Sequence, residues 1–314
     1  MAGQLWATGS LGGYLYSLEL SDTLRNALQP LVKFRQFADA KDFLSIGQKH
    51  GQVVTWDVVS DVATQGTTLV ETATIPVTNV TISQGTGTVY ERANSIPYTG
   101  MLDSMSKFEV EQFINKALKN DAKKSLDQMC YDAFNTTPLR VVAAAGTSST
   151  AITLTTNGTA TLTNNVGLGK GHVRAIGDLM LERNIPPFVD DDYVGMAHPT
   201  TLRPFMNDLE SVQQYTATGF GLIMNGEVGR YESFRFVRQT NIAKAGWTNG
   251  QSNQAMFLGQ DTVAELLVVP EEIRAGIPSD MGRSKVIGWY YLGGAALVRT
   301  VAAQATVVKW DSAA

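Results

Sequence analysis

The stretch from Gly51 to Pro97 constrains this chain more than any other. Gln52 to Val62 is rich in Val and Thr, with Trp56 among them. Gln65-Gly66-Thr67-Thr68 reads as a turn, and Ile75-Pro76-Val77 and Val80-Thr81-Ile82 resume strand-like composition. Thr88-Val89-Tyr90 continues it beyond Gly85 and Gly87. β-Branched residues at this density favour extended backbone and carry little helical periodicity. A hairpin with about 20 residues in each arm reaches on the order of 60–70 Å, at about 3.3 Å per residue. A two-stranded ribbon is at best marginally stable in water alone. It needs a surface to lie on, and its edge invites pairing with another chain. On this segment Trp56, Val58, Ile75, Val77, Val80 and Ile82 are the candidate contacts to another subunit.

Residues 1–50 read as an arm. Leu20, Leu24, Leu28 and Leu31 recur at helical spacing after Ser21 and Asp22, either of which suits an N-cap, and Pro30 bends or stops that helix. Phe34, Phe37 and Phe43 follow among charges. Two readings stand: an amphipathic segment packing on its own domain, or an arm whose Phe34 and Phe37 contact a neighbouring subunit.

The spacing predicts a long helix over 104–134, with Ser106 as N-cap and Glu109 at N3 of a capping box. Val110, Phe113, Ile114, Ala117, Leu118, Leu126, Met129, Cys130 and Ala133 form its apolar stripe. Such a helix is about 42 Å long, well beyond the usual length in a globular domain. Asn157-Gly158 between Ala151–Leu154 and Ala160–Thr163 predicts a hairpin. A helix from about Val173 stops before Pro186-Pro187, Tyr193–Ala197 reads as a buried strand, and a short helix follows near Pro199 to Asn207. Phe234–Arg238, Val263–Val269 and the Gly-rich Val286–Val298 read as further strands. Strands and helices are interleaved, so the class is α+β.

Chemistry-bearing patterns are thin. His50, His172 and His198 are far apart and there is 1 Cys, so no zinc-site spacing exists. Asp190-Asp191-Asp192 offers oxygen ligands for a divalent cation, as a metal-dependent hydrolase would need, but its place between Pro186-Pro187 and a strand suits a solvated acidic turn. Gly167, Gly169 and Gly171 around Lys170 hint at a phosphate loop, yet Gly171 stands where a Ser or Thr is required, so a turn or hinge fits better. Cys130 on the apolar stripe reads as an inert core residue. No catalytic, cofactor-binding or metal residue is assigned, no cofactor is expected, and the chain is read as a non-enzyme.

The charge balance, 25 basic against 29 acidic residues, does not suit a dedicated sequence-specific nucleic-acid binder, so contact with DNA is expected to be weak or local and non-specific. The first 24 residues contain no Lys or Arg, which does not suit a secretory signal, and no apolar run approaches a bilayer span, so synthesis in the cytoplasm is expected.

The order of parts is helical arm, long β-excursion, very long helix, then an α+β region that returns as Gly-rich strands. This order resembles the Hong Kong 97-type major capsid proteins of tailed phages, and within them the branch that includes coliphage N-four coat proteins. The matching residues are Leu31-Val32-Lys33-Phe34-Arg35-Gln36-Phe37-Ala38, Asp192-Tyr193-Val194-Gly195-Met196-Ala197-His198-Pro199 and Gly226-Glu227-Val228-Gly229-Arg230. The resemblance implies an arm (1–50), an extended loop (51–97), a peripheral domain with a spine helix (98–165), an axial domain (166–258) and a return to the peripheral domain (259–314). It further implies hexamers and pentamers tiling an icosahedral shell around double-stranded DNA, with scaffolding, portal and decoration proteins as further partners. Some such proteins cross-link through a loop Lys, but no Lys lies between Gly51 and Ser106 here, so no such bond is expected. Other self-assembling proteins, an encapsulin-like compartment or a tail tube, are the competing class; the long helix speaks against a tube.

Overall fold

The computed structural model describes residues 33–42, 51–60, 62, 66, 68–72, 74–144, 148, 150–156, 166–213, 230–242, 253–276 and 283–312. The leucine-spaced helix over Leu20–Leu31, Phe43, His50, the Asn157-Gly158 turn and Gly226–Gly229 of the Gly226–Arg230 motif lie outside them.

A four-stranded sheet has the order β1-β11-β12-β4, formed by Asp39–Asp42, Val263–Gly276, Ser284–Leu297 and Tyr90–Thr99. After β4 come a short helix α1 (Gly100–Met105) and the long helix α2 (Val110–Asn135). At 26 residues, α2 is about 39 Å long. Its Ile114, Leu118, Leu126 and Cys130 are buried at helical spacing against Tyr98, Ile287, Trp289 and Tyr291 of the sheet. Polar groups fasten the same contact: the Tyr98 hydroxyl donates to Glu111 Oε1 at 2.6 Å, and Trp289 Nε1 donates to Asp121 Oδ2 at 2.9 Å.

The helix start differs from expectation. Ser106 ends α1 as its C-cap, and its Oγ accepts from Phe108 N, so α2 begins at Val110 with no side-chain cap. The capping box does not form because Ser106 closes α1 and Ser106–Glu109 is non-helical chain between the two helices. Burial of the apolar stripe supplies the stability the cap does not.

A seven-stranded sheet has the order β6-β5-β13-β10-β7-β9-β8. Its strands are Ile152–Thr156, Leu139–Ala143, Val307–Ser312, Asn253–Leu258, Tyr193–Ala197, Phe234–Arg238 and Arg230–Tyr231. Both faces of its centre are covered. Val194, Met196, Met256 and Val307 face the core shared with α2. Leu139, Tyr193, Phe257 and Trp310 face the core containing α3 (Lys170–Glu182) and α4 (Arg203–Gln213). Strands covered on both faces read as near-continuous apolar runs, as Tyr193–Ala197 does. β6 pairs antiparallel with β5, which precedes it in sequence.

The arm root belongs to its own subunit. Phe34, in a 3₁₀ turn (Phe34–Phe37), is fully buried against Tyr131 and Phe134 of α2. Phe37 packs edge-on against Phe188. β1 runs parallel beside β11, Asp39 opposite Ala264. Phe34 therefore has no surface left for a neighbour, and the inter-subunit role expected for it is replaced by a place in the core; Phe37 is held by the same body.

Candidate assembly surface

β2 (Val53–Val59) and β3 (Ile82–Thr88) form a two-stranded antiparallel ribbon in which Val53 faces Thr88 and Val59 faces Ile82. The ladder is seven pairs, about 23 Å, and not the 60–70 Å expected. No strand is assigned among the described residues from Val62 to Thr81. At the other end, Tyr90–Thr99 leaves the ribbon altogether and pairs with β12, so the far part of the expected loop is sheet.

The ribbon's inner face lies on its own subunit. Val54 and Val89 join Ala264, Leu266 and Val298 in a small third core, with Trp56 against it. Trp56 Nε1 donates to the Val298 carbonyl at 2.8 Å. Gln304 bridges the two ribbon strands, donating to Ser60 Oγ at 2.7 Å and accepting from Ser83 Oγ at 3.2 Å. Two glycines permit this close seating. A Cβ on Gly85 would stand 2.2 Å from Trp56 Nε1, and one on Gly294 would stand 2.2 Å from the Thr88 carbonyl. The Gly content that reads as weak strand is here the condition for stacking one sheet on another.

The outer face is mixed, with Thr55, Asp57 and Gln84 between the exposed apolar side chains, and the segment beyond it exposes further large apolar residues. Val77 is 90% exposed, Ile75 70% and Val70 68%, and Val53, Val59, Leu69, Val80 and Ile82 are exposed as well. The described residues from Val62 to Thr81 contain a single charge, Glu71. An exposed run with so many large apolar side chains and so few charges has the composition of an interaction surface. Of the expected contacts, Ile75, Val77, Val80 and Ile82 lie on this surface, Trp56 and Val58 are half-buried, and Phe34 and Phe37 are elsewhere. Sequence reading passed over Val53, Val59, Leu69 and Val70, although they sit in the same Val- and Thr-rich run. It also passed over exposed Met101 and Met105, whose i, i+4 spacing on α1 was a usable signal.

The patterns weighed for chemistry have structural partners. His172 is fully buried beside Trp310; its Nδ1 accepts from Gly169 N at 3.1 Å, so its Nε2 carries the proton and donates to the Ser148 carbonyl at 2.9 Å. Burial holds its pKa below the ordinary 6.5. Gly169 is the N-cap of α3, and Gly171 is inside that helix. His198 Nδ1 accepts from Thr200 N at 3.2 Å. Asp190 and Asp191 are exposed in a turn, with Asp190 at φ 53°, while Asp192 is buried and paired with Arg235 at 2.6 Å. Among the described residues, no three His, Cys, Asp or Glu side chains are grouped so as to hold a metal. Burial pushes the Cys130 thiol up to about 12, which leaves it protonated. No helix among the described residues is long and apolar enough to cross a membrane.

No protein-family profile matches the sequence, and no curated protein matches it. Solved structures do match. The capsid of Ralstonia phage GP4 superposes with a TM-score of 0.65 at 12% identity, over 100% of this chain and 98% of the other. The acidic stable capsid of Helicobacter pylori bacteriophage KHP30 gives 0.67 at 11%, over 95% and 96%. The capsid of a native GTA particle gives 0.57 at 14%, over 100% of both chains. At such identities the likeness is one of fold, and it extends end to end: this chain has a phage capsid fold.

Proposed function

We propose that this chain is the major capsid protein of a tailed phage, of Hong Kong 97 type, which assembles with copies of itself into hexamers and pentamers of a shell enclosing double-stranded DNA. The observation that carries the reading is the pairing of an end-to-end phage capsid fold with the exposed apolar surface at Leu69–Ile82. Burying such a surface between subunits is favourable by roughly 25 cal/mol per Å², and no covalent bond is needed.

In this reading α2 is the spine helix, residues 1–50 the arm and 51–97 the extended loop, of which the ribbon base and Tyr90–Pro97 are held by the subunit itself. Ile75, Val77, Val80 and Ile82 contact a neighbour. β7, β8, β9, β10, α3 and α4 fall in the axial range 166–258, β11 and β12 return to the four-stranded sheet, and β13 runs back into the seven-stranded sheet. Scaffolding, portal and decoration proteins are further partners, and DNA touches the inner wall through scattered basic side chains without base readout. Location in the virion, after assembly in the host cytoplasm, follows. The N-four-like branch rests on the motif residues alone.

Negative-stain microscopy of the purified chain tests the proposal: closed shells or capsomer rings are expected. A compact monomer at high concentration overturns it. Particles run on a denaturing gel should give a single band, because the loop has no Lys for cross-linking.

A further inference from the structure

Asp127 stands on α2 where three distant stretches of chain meet, and its side chain is nearly inaccessible. One oxygen, Oδ1, accepts the backbone N–H of Phe34 at 2.7 Å and of Arg35 at 3.3 Å. The other, Oδ2, accepts Gln239 Nε2 at 3.0 Å and Asn241 Nδ2 at 3.0 Å. One oxygen thus holds the arm root and the other holds the segment after β9. An ionised carboxylate offers about four lone-pair sites, and here each has a donor.

Each pair of donors is also anchored elsewhere. Arg35 binds Glu265 at 2.9 Å and Glu271 at 2.8 Å, and Tyr291 also donates to Glu265. The Phe34 ring packs on Tyr131 and Phe134, one and two turns along the same helix face. Gln239 N donates to the Ala197 carbonyl at 3.0 Å. A carboxylate is planar and rigid, so it cannot turn toward one pair without leaving the other. A buried charge that loses donors is costly, which makes partial release unfavourable.

We propose that Asp127 is a mechanical coupler, which makes the arm root (Phe34–Phe37) and the segment Gln239–Ile242 dock and undock together. A neighbour that pulls on the arm then pulls on the end of β9 through one side chain. The coupling is a property of the subunit and does not depend on whether the chain forms a shell.

Hydrogen–deuterium exchange of the full chain tests it. Asp127→Asn keeps the shape but leaves one accepting oxygen in place of two and sets an amide N–H₂ against donors. Exchange should speed up roughly tenfold in Phe34–Phe37 and in Gln239–Ile242 together, with Asn253–Leu258 unchanged. Arg35→Ala is the second variant: it removes the contacts to Glu265 and Glu271 and touches neither Gln239 nor Asn241. With coupling, it too speeds exchange at Gln239–Ile242. If only the arm peptide responds to Arg35→Ala, or if neither segment does, the proposal is overturned. Should Asp127→Asn fail to fold, Arg35→Ala decides alone.

Discussion

The strand Asn253–Leu258 is buried at all six positions, whereas Val53–Val59, richer in β-branched residues, is buried at one of seven. The second has the stronger strand composition and the weaker burial. The difference is one of neighbours. β10 has a strand on each side, β13 and β7, and a covered face above and below. β2 has one partner, and only its inner face meets the subunit. Burial follows from what lies adjacent in space, and among the described residues nothing covers Val77 or Ile75.

Four measurements break or sharpen that comparison. The largest effect on subunit stability belongs to the double-covered side. Phe134→Ala should lower the unfolding free energy by about 3–5 kcal/mol in denaturant titration, because the ring is fully buried and Phe34 loses its support. Gly294→Ala comes next. Its Cβ collides with the Thr88 carbonyl, so the ribbon base must lift, at about 1–3 kcal/mol, and Trp56 fluorescence should report the change.

The third is pH dependence on the covered side. His172 is neutral in the fold, with its pKa lowered by burial, while the unfolded chain protonates at about 6.5. Stability is therefore whole above pH 6.5 and declines below it, with a limiting slope of about 1.4 kcal/mol per pH unit until the folded ring itself protonates. His172→Gln should flatten that slope in thermal melts between pH 7 and 5, near the reference value of 6.5. The smallest effect belongs to the exposed segment. Val77→Glu should change subunit stability by no more than about 0.5 kcal/mol. The same variant should sharply reduce the yield of closed particles in sedimentation. If it cost as much as Phe134→Ala, the segment would be part of the subunit's own core and the contrast between the two regions would fail.

Much of the architecture was legible in the residues. The apolar stripe of α2, the buried strand Tyr193–Ala197 and the two long C-terminal strands were predicted from periodicity and β-branching, which are local properties. The inertness of Cys130 followed from its place on the stripe. What was not legible depended on distant partners. Phe34 reads the same whether it meets Phe134 of its own helix or a neighbour's surface. Ser106 and Glu109 have capping-box spacing, but a short preceding helix claims Ser106 as its C-cap. Asp127 reads as one acid among several on α2, because its four donors come from residues 34, 35, 239 and 241.

By itself the sequence determined the class: interleaved strands and helices, one very long amphipathic helix, and a Val- and Thr-rich excursion short of charge. Those are statements about spacing and side-chain type, which each segment carries wherever it lies. Only the tertiary structure decided which apolar residues are satisfied at home and which remain in water, how far the ribbon stays paired, and that one carboxylate ties the arm to the end of β9. The reason is that burial and hydrogen-bond satisfaction are relations between segments far apart in sequence, and no local pattern encodes both ends of such a relation.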